Sequence, residues 1–169
     1  MTCIAIEQAR PAAPLLIFGW GNPSRGDDAL GPAFVEQAAR MTGTAANTRI
    51  EYLTDFQLQV EHALDLLERE RVLFVDASIE ITAPFTASRL HAAADTGVST
   101  HAMSPGAVMQ VFERLHGHAP PPCTMLAISG VCFELGAPLS AAARNNLHSA
   151  LAWLPAWLSA TNDTLTHGG

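Results

Sequence analysis

The chain has 169 residues, of which 49% are hydrophobic, and a formal net charge of −7 at pH 7. This length and apolar content predict one folded domain over residues 1–169, with an ordered core at about 15–158, and exclude disorder except at the ends. All nine cations are arginine, which excludes a lysine Schiff base and a lysine-containing phosphate loop, and the acidic balance argues against nucleic-acid binding.

The first half of the chain alternates apolar runs with amphipathic segments. Continuous apolar runs are typical of strands that are covered on both faces, and apolar residues three and four apart are typical of helices. The predicted elements are a strand at Leu15–Trp20, a helix at Leu30–Met41, a strand at Arg49–Leu53, a helix from Phe56 through Glu70 and a strand at Arg71–Asp76. Thr54 or Asp55 is expected to cap the second helix.

The second half continues the pattern with a weaker strand and two further helices. Ser104 is expected to cap the third helix with Pro105 at its first position, Ser140 to cap the last helix, and Pro155 to kink or stop it. The predicted elements are an edge strand at Pro84–Leu90, a loop at His91–Gly97, a helix from Ser104 to His116, a strand at Thr124–Ser129 and a helix at Pro138–Leu158. The order predicts a three-layer α/β fold with helices on both faces of the sheet.

Three loops at the sheet edge each carry one side chain with metal-binding or acid–base chemistry. Asp28 follows the first strand, Asp76 closes the third strand, and His101 precedes the third helix. Open α/β folds bind ligands at the carboxyl ends of their strands. Two carboxylates and an imidazole suit a nickel or zinc ion with open positions, or acid–base catalysis on a bound water. The alternative is that the acids cap helices and His101 is an ordinary loop residue; Asp27 is the acid that would cap the first helix, which leaves Asp28 free.

The remaining histidines, cysteines and tryptophans have plainer interpretations. Surface or hydrogen-bonded positions are expected for six histidines: His62, His91, His116, His118, His148 and His167. The odd cysteine count, without CxxC spacing, predicts reduced thiols at Cys3, Cys123 and Cys132. Trp153 and Trp157 are expected in the core, whereas Trp20 lies in the loop region and either lines a substrate cleft or packs inside. The absence of a signal-like segment or a long apolar run predicts a cytoplasmic protein with no membrane partner.

Four motifs in order resemble the family of hydrogenase maturation endopeptidases. The run Gly21-Asn22-(four residues)-Asp27-Asp28-(two residues)-Gly31 resembles the family signature. A strand ending in Asp76-Ala77, the segment Ser99-Thr100-His101, and the run from Gly136 to Ser140 resemble its later motifs. The resemblance covers about residues 15–158. Asp28 stands where many members carry glutamate.

The resemblance implies a fold, an activity and a set of site residues. It implies a twisted mixed, mostly parallel sheet flanked by helices, of the phosphorylase/hydrolase-like kind. It implies cleavage of a C-terminal extension from the large-subunit precursor of a NiFe hydrogenase, after nickel insertion. The metal-contacting and catalytic positions would be Asp28, Asp76 and His101, the nickel would be that carried by the precursor, and no organic cofactor is expected.

The segment from Tyr52 to Leu66 narrows the resemblance to one subgroup. With residues 69–76, it resembles the endopeptidases that mature NAD-reducing or bidirectional cytoplasmic hydrogenases. Gln57 and Glu61 lie four apart, on one face of the predicted second helix. They form either a solvated polar face or a contact with the substrate.

Several other functions compete with metal-assisted proteolysis. An aspartic-type mechanism, in which Asp28 and Asp76 share a proton, leaves His101 without a role. A non-catalytic nickel-sensing chaperone would use the same three residues to hold the precursor. Peptidyl-tRNA hydrolases share an opening similar to Gly19–Pro23, but they need a nearby histidine and a basic surface. A dinucleotide site fails because Ser24 occupies the third glycine position.

Overall fold

The computed structural model describes residues 12–43, 49–95 and 103–160. In these ranges five strands form one sheet in the order β2-β1-β3-β5-β4. The strands are β1 (Leu15–Trp20), β2 (Ile50–Asp55), β3 (Arg71–Ser78), β4 (Phe85–Arg89) and β5 (Cys123–Ser129). The helices are α1 (Leu30–Thr42), α2 (Pro105–His116) and α3 (Ala141–Ser159), with 3₁₀ turns at Gly26–Ala29 and Val60–Leu66. Only β4 at the edge is antiparallel to its neighbour, so the mixed, mostly parallel α/β sheet is confirmed.

The sheet has a hydrophobic core on each face. Alternate residues of β1 point to opposite faces, so Ile17 packs with α1 and α3 whereas Phe18 packs with α2 and the 3₁₀ helix at 60–66. Residues 72–75 of β3 divide between the two cores in the same way. Burial of both faces explains why β1 and β3 read as unbroken apolar runs. No helix in the described ranges has the length and apolar character that a membrane crossing requires.

The prediction of an α-helix from Phe56 through Glu70 is wrong. β2 runs on through Asp55, which pairs with Trp20 in β1, so Thr54 and Asp55 are strand residues rather than a helix cap. The chain then passes through residues 56–59 before the 3₁₀ helix Val60–Leu66 begins. A 3₁₀ helix has a period of three, which places Ala63 and Leu66 in the core. Of the five side chains that suggested an α-helical face, Leu58 is buried and four are exposed: Phe56, Val60, Leu64 and Leu67.

The other helices follow their sequence signals closely. Ser104 and Ser140 are the N-caps of α2 and α3, and each hydroxyl accepts the backbone N–H three residues later. Of the two effects expected of Pro155, a kink or a stop, the stop is wrong, since α3 continues through it to Ser159. The apolar stripe of α3, which includes the buried Trp157, packs on the sheet on both sides of the proline.

Candidate active site

The loop after β1 folds back on itself and fixes Asp28. The Asn22 side-chain oxygen accepts the Ser24 N–H at 2.9 Å, and the Arg25 N–H donates to the Asn22 carbonyl at 3.1 Å. These bonds form an Asx turn inside a β-turn. The 3₁₀ turn at Gly26–Ala29 then brings Asp28 back to Asn22, whose N–H donates to Asp28 Oδ2 at 2.9 Å. The carboxylate is therefore held at the carboxyl end of β1.

Two glycines of the loop motif allow this close approach. Gly21 has φ +137°, and a Cβ there would lie 2.0 Å from the Asp28 carbonyl oxygen. A Cβ on Gly31 would lie 2.3 Å from the Trp20 carbonyl oxygen and 2.8 Å from that of Val75. Glycine is therefore required where the first turn of α1 lies directly against β1 and β3.

Asp28 and Asp76 lie in one cleft with a volume of about 320 Å³. β3 lies beside β1 in parallel, with Val75 opposite Gly19, so the end of β3 delivers Asp76 next to the loop that carries Asp28. The cleft is lined by Trp20, Gly21, Asn22, Arg25, Asp28, Phe56, Gln57, Leu58, Asp76 and Met103. His101 lies outside the described residues; Met103, two positions later in the chain, lines the cleft and donates its N–H to the Leu58 carbonyl at 3.1 Å.

The surroundings of Asp76 favour its neutral form. Burial is the largest influence and, with the nearby charge of Asp28, it raises the pKa of Asp76 to about 7. The Ala77 N–H, 2.8 Å from Asp76 Oδ1, and the Trp20 side chain oppose this rise by hydrogen bonding to the carboxylate. A carboxyl group with such a pKa can both take up and release a proton near neutral pH.

Asp27 has a structural role inside the protein, and the expectation that it caps the first helix is wrong. Its side chain is fully buried, and the N-cap of α1 is Ala29. Oδ2 accepts the Val131 N–H at 2.7 Å, the Cys132 N–H at 2.9 Å and the Ser140 hydroxyl at 2.8 Å, while Oδ1 accepts the Ser140 N–H at 2.7 Å. Burial opposes ionisation, but these hydrogen bonds outweigh it and lower the pKa of Asp27. The Asp27 carboxylate therefore joins the first sequence motif, at residues 21–31, to the last, at residues 136–140.

Trp20 contributes both shape and polarity to the cleft. It lines the cavity, its side chain hydrogen-bonds to Asp76, and its ring meets Phe74 edge-on at 5.9 Å between centroids. Of the two positions that the sequence left open for Trp20, the structure shows the one that lines the cleft. Trp157 is buried and Trp153 is partly buried against the same core, as expected.

The sequence did not identify four residues that line the cleft, and it misplaced another. Arg25, Phe56, Leu58 and Met103 line the cavity, and no spacing pattern marked them as site residues. Gln57 also lines it, but it precedes the 3₁₀ helix that carries the exposed Glu61, so the two do not share a helical face.

The histidines in the described ranges lie outside the cleft. His62 is buried; its Nδ1 accepts the Gln59 N–H at 2.8 Å and its Nε2 lies 3.3 Å from Asp55 Oδ2. His91, His118 and His148 are exposed, as expected. His116 departs from the expectation, because its buried Nε2 has no hydrogen-bond partner.

The described residues bring together two candidate metal ligands. Within the described ranges, no group of three histidine, cysteine, aspartate or glutamate side chains is arranged to hold a metal ion. Catalytic zinc sites usually have three protein ligands. Asp28 and Asp76 by themselves would therefore leave most of an ion's coordination sphere to other donors. Cys123 is buried, which raises the pKa of its thiol to about 12, and neither it nor Cys132 forms a disulfide.

Comparisons with known proteins match the architecture. No family model and no curated protein sequence matches the chain. Among solved structures, the NiFe hydrogenase maturation protease HycI from Thermococcus kodakarensis KOD1 has a TM-score of 0.67 at 18% identity, covering 88% of this chain and 94% of its own. The hydrogenase maturating endopeptidase HybD from E. coli has a TM-score of 0.65 at 22% identity, covering 85% and 91%. The chain therefore has the fold of the hydrogenase maturation proteases.

Proposed function

We propose that this protein is an endopeptidase that removes the C-terminal extension of a NiFe hydrogenase large-subunit precursor after nickel insertion. The observation that carries the proposal is the convergence of Asp28 and Asp76 in one open cleft at the carboxyl edge of the sheet. The fold shared with HycI and HybD supports the same activity. Open α/β folds place their active sites at this edge.

The nickel is proposed to arrive with the substrate. Asp28, Asp76 and His101 would complete the coordination of nickel already bound in the precursor, or lie beside it. Support comes from the two carboxylates that converge in the cleft, where they can contact a metal ion that enters with a bound peptide. His101 joins the set as a proposal from the sequence. A precursor without nickel would then lack the feature that positions its scissile bond.

The cleft residues supply the remaining requirements for hydrolysis. Nickel would polarise a nearby carbonyl, and an aspartate beside it would take a proton from the attacking water. Asn22 N–H holds the Asp28 carboxylate at 2.9 Å, so this group keeps its orientation before substrate binds. Trp20 and the exposed Phe56 give the cleft apolar surface against which a peptide can pack.

A second mechanism is favoured by one observation. The charge of Asp28 contributes to the raised pKa of Asp76, as expected for two carboxylates that share a proton in an aspartic-type site. In that mechanism cleavage needs neither nickel nor His101. Measuring whether cleavage requires nickel, and whether it requires His101, therefore distinguishes the two mechanisms.

The proposed partner is the large-subunit precursor of a cytoplasmic NAD-reducing or bidirectional hydrogenase. The sequence resemblance in residues 52–66 supports this subgroup, and Gln57 from that segment lines the cleft. We propose a cytoplasmic location for the same reason. Incubating the protein with precursors of different hydrogenase classes would test the choice.

Substitution of the proposed site residues tests the function directly. Asp28→Ala and His101→Ala are expected to abolish release of the C-terminal peptide from a nickel-loaded precursor, as measured by intact mass spectrometry. Glu113→Ala and His148→Ala, both at exposed positions on helices, serve as controls and should cleave at the wild-type rate. Full activity of either site variant would contradict the assignment, and circular dichroism would establish that each variant folds.

A further inference from the structure

We infer that Arg25 binds a carboxylate of the substrate peptide and so selects which precursors enter the cleft. This inference rests on the proposed function, since it assumes that a peptide occupies the cleft. Arg25 is the only cation among the described residues that line the cavity, where it stands beside the acids Asp28 and Asp76.

The backbone and side chain of Arg25 are held by separate contacts. Its N–H donates to the Asn22 carbonyl at 3.1 Å, and its carbonyl accepts the Asp28 N–H at 3.2 Å. Its Nε donates to the Phe133 carbonyl at 3.0 Å, across 108 positions of the chain. The loop that carries Phe133 is itself fixed, because Cys132 donates its N–H to the buried Asp27. The guanidinium group is thus positioned without the help of substrate.

The outer edge of the guanidinium group is left for a ligand. Arg25 forms no ion pair with an acid anywhere in the described ranges, although Asp28 is three residues away. With Nε committed to Phe133, the two Nη groups remain as a pair of parallel donors. Such a fork matches the two oxygens of a carboxylate, and the resulting charge-assisted hydrogen bonds are stronger than those to a neutral carbonyl.

The charges in the cleft make this contact selective. Asp28 would repel an acidic group of the substrate at most positions, whereas Arg25 offsets that repulsion at one. The carboxylate has two possible sources in a C-terminal extension: an acidic side chain, or the free carboxylate at the end of the precursor. Both present the same oxygen pair to the guanidinium group.

A double-mutant cycle between protease and precursor tests the contact. One set of nickel-loaded precursors carries single Asp→Asn or Glu→Gln changes in the extension, and another carries one added residue at the C-terminus to move the terminal carboxylate. Each is tested for kcat/KM and for Kd with wild type, Arg25→Gln and Arg25→Lys. Arg114→Gln, at an exposed position on α2, is the matched control and should behave as wild type.

Arg25→Gln is expected to lower kcat/KM by about tenfold or more, mainly through a higher KM, as for the loss of a hydrogen bond to a charged group. One precursor change should have the same effect on wild type and no further effect on Arg25→Gln. Arg25→Lys, which keeps the charge but loses the fork, should retain part of the activity. A side-chain change that couples to Arg25 identifies an acidic residue as the source; a coupled terminal change identifies the C-terminus.

Two results would overturn the inference: wild-type kinetics for Arg25→Gln, or effects of Arg25→Gln that simply add to those of every precursor change. The Kd measurements separate this inference from the proposed function. If wild type binds the precursor without cleaving it, the proposed activity fails, but coupling in Kd still supports Arg25. If the precursor does not bind wild type, both are contradicted.

Discussion

Asp27 and Asp28 are adjacent in the chain but have different environments. Asp27 is buried and accepts four hydrogen bonds from the loop at 131–132 and from Ser140. Asp28 lies in the cleft and accepts one backbone hydrogen bond from Asn22. Both residues belong to the same 3₁₀ turn, but their side chains lie in these two different environments. One carboxylate stabilises the loops around the site, and the other is available to the substrate.

Asp76→Asn is expected to stabilise the protein at pH 8 while it abolishes cleavage. The pKa of Asp76 is about 7 in the folded protein, above its ordinary value of 3.8. Between these values the folded state binds more protons than the unfolded state, so the contribution of Asp76 to stability falls as pH rises. Asparagine removes the buried charge and can still accept the Ala77 N–H.

Thermal unfolding of wild type and Asp76→Asn at pH 5 and pH 8 checks this prediction. The gain in Tm should be larger at pH 8, where wild-type Asp76 is ionised. Glu113→Gln, which removes one exposed carboxylate from α2, controls for the change in net charge. An identical difference in Tm at both pH values would argue against a raised pKa.

Asp27→Asn is expected to destabilise the protein by about 1–3 kcal/mol at pH 7, because an amide N–H would face one of the buried donors. The lowered pKa of Asp27 means that its stabilisation is present above its ordinary pKa of 3.8 and is lost as pH falls through the folded value. Urea unfolding at pH 7 and pH 3.5 measures both effects, and the difference from wild type should shrink in acid. Asp28→Asn, which loses one partner at most, is the matched control; an equal loss in both variants would contradict the structural role.

At the scale of elements, the packing of α1 on the sheet places the site. The first turn of α1 contacts the backbones of β1 and β3 directly at Gly31. This contact holds the preceding 3₁₀ turn, and therefore Asp28, over the end of β1. Helix α1 can lie this close to β1 and β3 because Gly31 has no side chain.

Gly31→Ala is expected to lower the free energy of unfolding by about 1–3 kcal/mol, as for overpacking of a core, and to lower cleavage. Its Cβ would require the Trp20 carbonyl, 2.3 Å away, to move. Urea unfolding with peptide release measures both changes. Gly117→Ala is a suitable control for a glycine near a helix, since a Cβ there meets nothing within 4 Å, although its φ of +71° adds some strain. Unchanged activity in Gly31→Ala would show that the close contact does not position Asp28.

The elements that could be predicted from sequence are those with local causes. The apolar runs of β1 and β3 reflect burial on two faces, and the caps at Ser104 and Ser140 are hydrogen bonds made within three residues. The segment after β2 could not be predicted, because its tertiary packing replaces an α-helix with a 3₁₀ helix and leaves Phe56 63% exposed. Periodicity carries no signal for such a change.

At the scale of the whole molecule, the cleft is assembled from distant parts of the chain. Asp28 and Asp76 could be predicted because each follows a parallel strand, and such strands end at a common edge. The position of the Arg25 side chain could not be predicted, because it depends on a hydrogen bond to the distant Phe133 carbonyl. The structural role of Asp27 could not be predicted for the same reason, because it depends on a hydrogen bond from Ser140. The role of His101 stays a prediction, since it lies outside the described residues.

The central claim is that cleavage depends on nickel in the precursor. Intact mass spectrometry of a nickel-loaded and a nickel-free large-subunit precursor, each incubated with this protein, tests it most directly. The account predicts loss of a C-terminal peptide from the nickel-loaded precursor alone. Equal cleavage of both would contradict the role of nickel and support the aspartic-type mechanism, whereas stable binding of the nickel-loaded precursor without any loss of mass would contradict the protease and support a chaperone.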